Sequence, residues 1–369
     1  MSGKRTIGVV FGGRSGEHEV SLMSARSVLA ALDPSKYDVI SIGIDKDGRW
    51  HTGKDVLAAL QRGDTQGLER VAVLGEPGGR GLFRWSADGA FEKLEDIDVI
   101  FPVTHGTYGE DGTLQGLLEM ADIPYVGGGV LASSVAMDKA LFKQVMRAHR
   151  IPTPDSTIVL SRRIASQPEQ AVVEAETAGP YPLFTKPANL GSSVGVSKCR
   201  SRSDLLEGLI DAARYDRRVI VERGLEAREI EVSVLGNEEP EASVPGEVVP
   251  SDEFYSYRAK YIDDSSGLLI PAPIDEETTE EARRLAIEAY KAIDGAGMAR
   301  ADFLLERRTG KLYVNELNTL PGFTQISMYP KLWEASGLPY PALMDRLIEL
   351  ALDRQAQKDA LLRTYGGAG

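Results

Sequence analysis

A single cysteine, Cys199, stands among 369 residues, so no disulfide can form within the chain and no cysteine cluster can hold a metal. A buried, idle thiol is the expected state of that residue. No run of about 18 apolar residues occurs, and membrane insertion as a helix is not expected. Positive charge is also short: 42 basic residues against 55 acidic ones leave a net charge of −13. That balance argues against a general affinity for nucleic acid, although a small local basic pocket remains compatible with it. The opening MSGKRTIGVVFGGRSGEHEVS meets a glycine pair and charges after only about five apolar residues, too short an apolar stretch for a secretory signal. A cytoplasmic location is expected.

What is present is the composition of a globular protein, 42% hydrophobic and 26% charged, long enough for two or three domains of about 100 to 150 residues. Residues 6–32 read as a strand, a glycine-rich turn and a helix that Ser21 or a neighbour would cap. VISIGID and DVIFPVTHG repeat the strand signature and LQGLLEMAD is helical, which together imply a parallel α/β unit. Residues 57–94, rich in Gly, Arg, Glu and Pro, lack a clear period and read as surface excursions. VGGGV at 126–130 reads as a flexible joint and sets a boundary near Gly127.

Beyond the joint, ASSVAMDKALFKQVMRAH reads as one helix stopped by Pro152 and Pro154. A strand, a Gly/Ser loop and a second strand follow in YPLFTKPANLGSSVGVSK, and RVIVERGLEAREIEVSVLG gives two strands bent at Gly224. Residues 243–269 are polar, aromatic and aperiodic, as expected of a functional loop or lid. A helix, a hairpin through RRTG and a C-terminal helix close the chain, and the last residues, TYGGAG, are expected to fray. The division expected is 1–127, 128–225 and 226–369.

Chemistry first becomes visible at the hairpin. Arg300 and Asp302 are two apart on one strand, Glu316 and Asn318 two apart on the next, so each pair shares a face. A turn centred near residue 309 would set Asp302 opposite Glu316 and Arg300 opposite Asn318. Opposed carboxylates repel, so a cation must compensate them. Hard oxygen ligands without His or Cys suit Mg²⁺, while Arg300 alone could neutralise the pair in a structural network. Spacing leaves both open.

Phosphate chemistry has its own candidates. Lys186 ends a strand just before a loop whose Gly191, Ser192, Ser193 and Gly195 can lay N–H groups and hydroxyls over a polyphosphate. The loop lacks the GxxxxGK[ST] order, and GGRSG at 12–16 lacks GxGxxG, so neither common nucleotide fingerprint applies. Taken singly, such a loop is more often a plain turn, Lys139 a solvated helix residue, and Glu17 a charge favourable to a helix N-terminus.

In order along the chain, FGGRSGEHEVSL, HGTYGEDGTLQG, MDK, KPANLGSSVGVSK, VERGLEAREIEV, YRAKYID, GMARADF and NELNTLPGFTQISMYPKLW give eight separate stretches. Together they resemble the ATP-grasp superfamily and, within it, the D-alanine:D-alanine ligase family, over nearly the whole chain. The resemblance implies an α/β protein of three domains, an N-terminal parallel α/β domain followed by two that sandwich ATP. It implies the joining of two D-alanines for peptidoglycan synthesis at the expense of ATP, through an acyl phosphate and a tetrahedral intermediate. Asp302, Glu316 and Asn318 would hold Mg²⁺, with two ions expected and Mn²⁺ able to replace them. Lys139, Lys186, Ser192, Ser193 and Lys260 would serve the phosphates. Glu222, Arg223, Gly224 and Leu225 would line the adenine, and Glu229 the ribose. Lysine is frequent in the family where this chain has Arg223. Arg300 and the Gly322 backbone N–H would steady the oxyanion. Glu17 would hold the first ammonium, His105 the carboxylate end, and Ser327 the second carboxylate, while Ser192 and Tyr261 would link loop and lid to Glu17. Family members are commonly homodimers.

The same resemblance bears on the second substrate. Relatives that make D-alanyl-D-lactate carry histidine where this chain has Tyr261, and those that favour D-serine place a basic residue near Met328; both positions here imply D-alanine. Two rival readings are another ATP-grasp carboxylate:amine ligase and a non-catalytic nucleotide-binding protein.

Overall fold

The computed structural model describes residues 3–86, 89–191, 193–249 and 267–362. Its first sheet is built on Arg5–Gly12, whose Ile7, Val9, Val10 and Phe11 are all fully buried. Apolar side chains on both faces are what a central parallel strand requires, and it pairs in parallel with Tyr37–Ile44 on one side and Val99–Pro102 on the other. The loops GGRSGE and HGTYGED leave the C-terminal ends of two of these strands, where open α/β sheets place ligands.

Residues 57–94 are not surface excursions. They supply part of the helix Val56–Arg62 and the strands Glu69–Ala72, Gly81–Trp85 and Phe91–Asp96, which with Trp50–Thr52 extend the sheet to seven strands, antiparallel in the added part. No alternation marks them as strands: the buried residues of Gly81–Trp85, Gly81 and Leu82, are adjacent, and five of the six residues of Phe91–Asp96 are exposed, as befits an edge that must not recruit another strand. Nor does Ser21 cap the first helix, His18–Ala31. It lies in the first turn, where its hydroxyl accepts from Gly12 N at 2.7 Å and donates to Val103 O at 2.7 Å, tying the helix to two strand ends.

The stretch expected as one helix is two, Val130–Met137 and Lys139–Ala148, because Asp138 leaves the helical region (φ −88°, ψ 93°) and caps the second by accepting from Leu141 N at 2.9 Å. The VGGGV joint is packed rather than free, with Val126, Gly127 and Gly128 buried. Arg354 of the helix Tyr340–Asp359 donates to the carbonyls of Tyr125 and Gly127 and stacks its guanidinium over the Tyr125 ring at 4.3 Å.

A second, antiparallel sheet runs Ser197–Cys199, Leu183–Pro187, Arg218–Arg223, Ser156–Leu160, with Cys199 fully buried in its core. The third runs Gly267–Leu269, Gly246–Val249, Ala227–Leu235, Met298–Glu306, Leu312–Asn318, with Glu241–Ala242 beside its long central strand. The two strands flanking Gly224 thus belong to different sheets. One apolar cluster joins the ends of the chain: Phe11 and Phe101 of the first sheet pack with Leu320, Phe323 and Leu347. Phe323 meets Phe101, Tyr329 and Tyr340 at 5.5 to 6.0 Å between ring centres, so the LPGFT loop is wedged between the first sheet and the C-terminal helices.

Candidate active site

The hairpin register sets Arg300 opposite Asn318 and Asp302 opposite Glu316, with a bulge just beyond Asp302. On the other side, Ala227–Leu235 brings Ser233 opposite Arg300 and Glu231 opposite Asp302. Three carboxylates, Glu231, Asp302 and Glu316, therefore lie in a row across three adjacent strands. Directly opposed like charges are unfavourable, and two cations offset them. Arg300 donates twice to Asp302, Nε to Oδ1 and Nη2 to Oδ2, each at 2.7 Å, and its Nε is 3.0 Å from Glu231 Oε2. Lys139 Nζ is 3.8 Å from Glu316 Oε2.

Among the described residues no three His, Cys, Asp or Glu side chains gather as a metal site, so a divalent ion would depend on Asp302, Glu316 and the amide of Asn318. That donor set fits Mg²⁺, which takes one or two carboxylates and leaves other positions to water and phosphate. Asn318 now donates through Nδ2 to Asp302 Oδ2 at 3.0 Å, and turning its amide presents Oδ1 in the same place.

A cavity of about 420 Å³ lies between the second and third sheets with this row on one wall. On the opposite wall the strand Leu183–Pro187 buries Leu183, Thr185 and Pro187 and turns Phe184 and Lys186 inward. Lys186 Nζ donates to Glu222 Oε2 at 2.8 Å, and Lys143, 1% exposed, approaches Glu222 Oε1 at 3.2 Å. Burial alone would raise the Glu222 carboxyl, but the two ammonium groups outweigh it and hold the value at about 2. Burial pushes Lys143 below the usual lysine range, whereas Glu222 outweighs burial at Lys186 and raises it. The break at Asp138 makes Lys139 the first residue of its helix. Its backbone N donates to Ala188 O at 2.8 Å and its Nζ to Leu190 O at 2.8 Å, which fastens the helix to the Gly/Ser loop.

From the first sheet, Glu17 reaches the same cavity at 8% exposure. Its carboxylate sits between two glycines: a Cβ on Gly106 would come within 2.7 Å of Oε2, and one on Gly191 within 3.2 Å. Gly106 also holds φ +72°, a conformation other residues rarely adopt. Glu110 accepts from Gly106 N at 2.7 Å, and burial, reinforced by the charge of Glu17, pushes its carboxyl up to about 8.

The cavity gathers Glu17, Lys139, Lys186, Ser193, the 222–225 segment, Glu229, Arg300, Asp302, Glu316 and Asn318. Arg223 also pairs with Asp155 at 3.6 Å. His105, Gly322, Ser327 and Met328 are not among its lining residues. His105 is buried, and burial holds its imidazole below the usual range, so the neutral ring donates from Nδ1 to Leu320 O at 3.0 Å and accepts at Nε2 from Ser24 Oγ at 3.1 Å. It braces the LPGFT loop, in which Gly322 is buried. Ser327 Oγ accepts from Thr324 N at 3.1 Å at the start of the helix Met328–Ala335, and Met328 packs with Val248 and Leu332. Ser192, Lys260 and Tyr261 lie outside the described residues. Sequence reasoning missed Glu110, Lys143 and Glu231. Of these only Glu231 left a signal, standing two residues after Glu229 and hence on its face of the strand.

Two family models match the chain, "D-ala D-ala ligase N-terminus" over residues 6–128 and "D-ala D-ala ligase C-terminus" over 145–349. The D-alanine–D-alanine ligase of Heliobacterium modesticaldum is 51% identical over 355 residues, 96% of each chain. The solved D-alanine-D-alanine ligase from Coxiella burnetii superposes with a TM-score of 0.83 at 37% identity over 98% of each chain. The VanG D-Ala:D-Ser ligase from Enterococcus faecalis gives 0.84 at 34% identity, covering 95% of this chain and all of its own. With the carboxylate row, the lysine wall and Glu17 facing one cavity, these likenesses have a common explanation: the chain belongs to the D-alanine–D-alanine ligase family of ATP-grasp enzymes.

Proposed function

We propose that this cavity joins two D-alanine molecules into D-alanyl-D-alanine for peptidoglycan precursors, releasing ADP and phosphate. The observation that supports this most is the meeting of three elements in one cavity: the Asp302, Glu316 and Asn318 set, the Lys139 and Lys186 ammonium groups, and Glu17. ATP would lie between the second and third sheets, its adenine along Glu222, Arg223, Gly224 and Leu225. There Glu222, kept anionic by Lys143 and Lys186, accepts from the exocyclic amine, and Glu229 accepts from the ribose hydroxyls. Lys186 then exchanges part of its contact with Glu222 for phosphate oxygens.

Mg²⁺ held by Asp302, Glu316 and Asn318 would neutralise charge on the transferring phosphoryl group, with two ions as the full complement and Mn²⁺ a substitute. Glu17 binds the ammonium of the first D-alanine and so presents its carboxylate for phosphorylation. Arg300, with the Gly322 N–H, steadies the acyl phosphate and then the tetrahedral oxyanion formed when the second amine attacks. Ser327 and the adjacent backbone would take the second carboxylate and Met328 would bound that subsite, with His105 acting from behind through the LPGFT loop. Water must be kept from an acyl phosphate, and the lid roles of Lys260 and Tyr261 and the Ser192 link rest on the resemblance alone. The reading includes three units at 1–127, 128–225 and 226–369, a cytoplasmic homodimer, and no nucleic-acid or membrane partner. Among the described residues no helix is long and apolar enough to cross a membrane.

A coupled ADP-release assay over D-alanine, L-alanine, D-serine and D-lactate tests it. Release with D-alanine and product D-alanyl-D-alanine is expected. Release only with a D-alanine and D-serine mixture would move the second substrate, and none with any D-amino acid would sink the reading.

A further inference from the structure

Glu231 is the one member of the carboxylate row to which the proposed reaction gives no task. It is 5% exposed, lines the cavity, and stands in register with Asp302 on the strand beside it. Arg300 lies against both, with two aligned hydrogen bonds at 2.7 Å to Asp302 and a 3.0 Å ion pair to Glu231. This arrangement poses a conflict. Asp302 is needed by a divalent ion, yet both its oxygens are engaged by Arg300, and Oδ2 also takes the Asn318 amide. An ion arriving at Asp302 and Glu316 must displace a guanidinium, and a guanidinium whose side chain is only 15% exposed is costly to leave without a counter-charge.

We propose that Glu231 is a positioning residue for Arg300: it receives the guanidinium when a divalent ion takes Asp302, so one hairpin end serves metal and substrate oxyanion at once. Three carboxylates then divide between two kinds of cation. Asp302 and Glu316 go to the metal, and Glu231 keeps Arg300, whose remaining N–H groups stay available to the acyl oxygen. The planar fork of arginine suits this handover, because it can pivot between two carboxylates while staying bonded to one of them. With no Glu231, Arg300 would compete with the ion for Asp302.

This inference rests on the ligase reading, and the test separates the two. Mn²⁺ binding to the complex of the full-length enzyme with ADP, followed by electron paramagnetic resonance, reads the metal site without turnover. Glu231→Gln preserves shape and removes the charge. Its Mn²⁺ affinity should fall about tenfold, the effect of losing one charge-assisted contact. The Mg²⁺ concentration for half-maximal turnover should rise in step, and kcat at saturating metal should fall more than KM for D-alanine changes. Glu231→Asp keeps the carboxylate on a shorter stem and should lie between the two. Should Glu231→Gln fail to fold, Glu231→Asp carries the test alone, with affinity weakened a few-fold. Mn²⁺ binding that is unchanged or tighter in the folded variants overturns the proposal. Absence of D-alanine-dependent turnover in the wild-type enzyme would instead count against the ligase reading and leave the metal titration interpretable.

Discussion

Replacing Glu222 by Gln isolates the electrostatics that shape the nucleotide wall. The change keeps the side chain's volume but leaves Lys143, 1% exposed, and Lys186 facing each other without an anion. A carboxyl held at about 2 instead of its ordinary 4.5 favours the folded state by about 3 kcal/mol at neutral pH. That agrees with the roughly 3 to 5 kcal/mol lost when one partner of a buried ion pair is removed. Because the folded value is depressed, this stabilisation is complete above pH 4.5 and disappears as pH falls toward 2. The protonated wild-type residue is then a near-isostere of Gln. Urea unfolding of both proteins, followed by circular dichroism from pH 7 to pH 2.5, should show a gap of about 3 kcal/mol that narrows steadily below pH 4.5. A gap constant across that range, or none at pH 7, would refute the reasoning.

Glu316→Gln should cut turnover by at least about a hundredfold, as expected when charge stabilisation at a transferring phosphoryl group is lost, while circular dichroism stays native. Gly106→Ala should cost about 1 to 2 kcal/mol in chemical unfolding, because φ +72° disfavours a Cβ and that atom would stand 2.7 Å from Glu17 Oε2; KM for the first D-alanine should rise with it. Glu110 is neutral below its raised value of about 8 and anionic above it, so an ammonium beside Glu17 should bind more tightly as pH rises through 8. In Glu110→Gln that part of the pH dependence of KM for the first D-alanine should be flat.

The parts legible in the sequence were those set by short, local rules. A turn centre at residue 309 fixes which residues face each other, and the pairs Arg300–Asn318 and Asp302–Glu316 follow from counting. The alternation at Leu183–Pro187 likewise points Lys186 one way. What escaped depends on neighbours distant in the chain. Lys143 looks like an ordinary helix lysine until the fold buries it on Glu222, 79 positions away. Glu231 acquires meaning only when its strand pairs with Met298–Glu306. The added strands of residues 69–96 carry too little apolar alternation to announce themselves, and the outermost, Phe91–Asp96, is an edge stabilised by pairing more than by burial. The resemblance gives His105 to the carboxylate end of the first D-alanine, but the fold commits both ring nitrogens to Ser24 and Leu320.

The claim on which the rest depends is that the open end of the 298–318 hairpin holds a divalent ion against the phosphates of a nucleotide. Anomalous diffraction from crystals grown with ADP and Mn²⁺ tests it directly. The expected result is a peak roughly 2.0 to 2.3 Å from carboxylate oxygens of both Asp302 and Glu316, with Arg300 withdrawn toward Glu231. Nucleotide bound in the cavity with no peak there, and Arg300 still forked on Asp302, would contradict it.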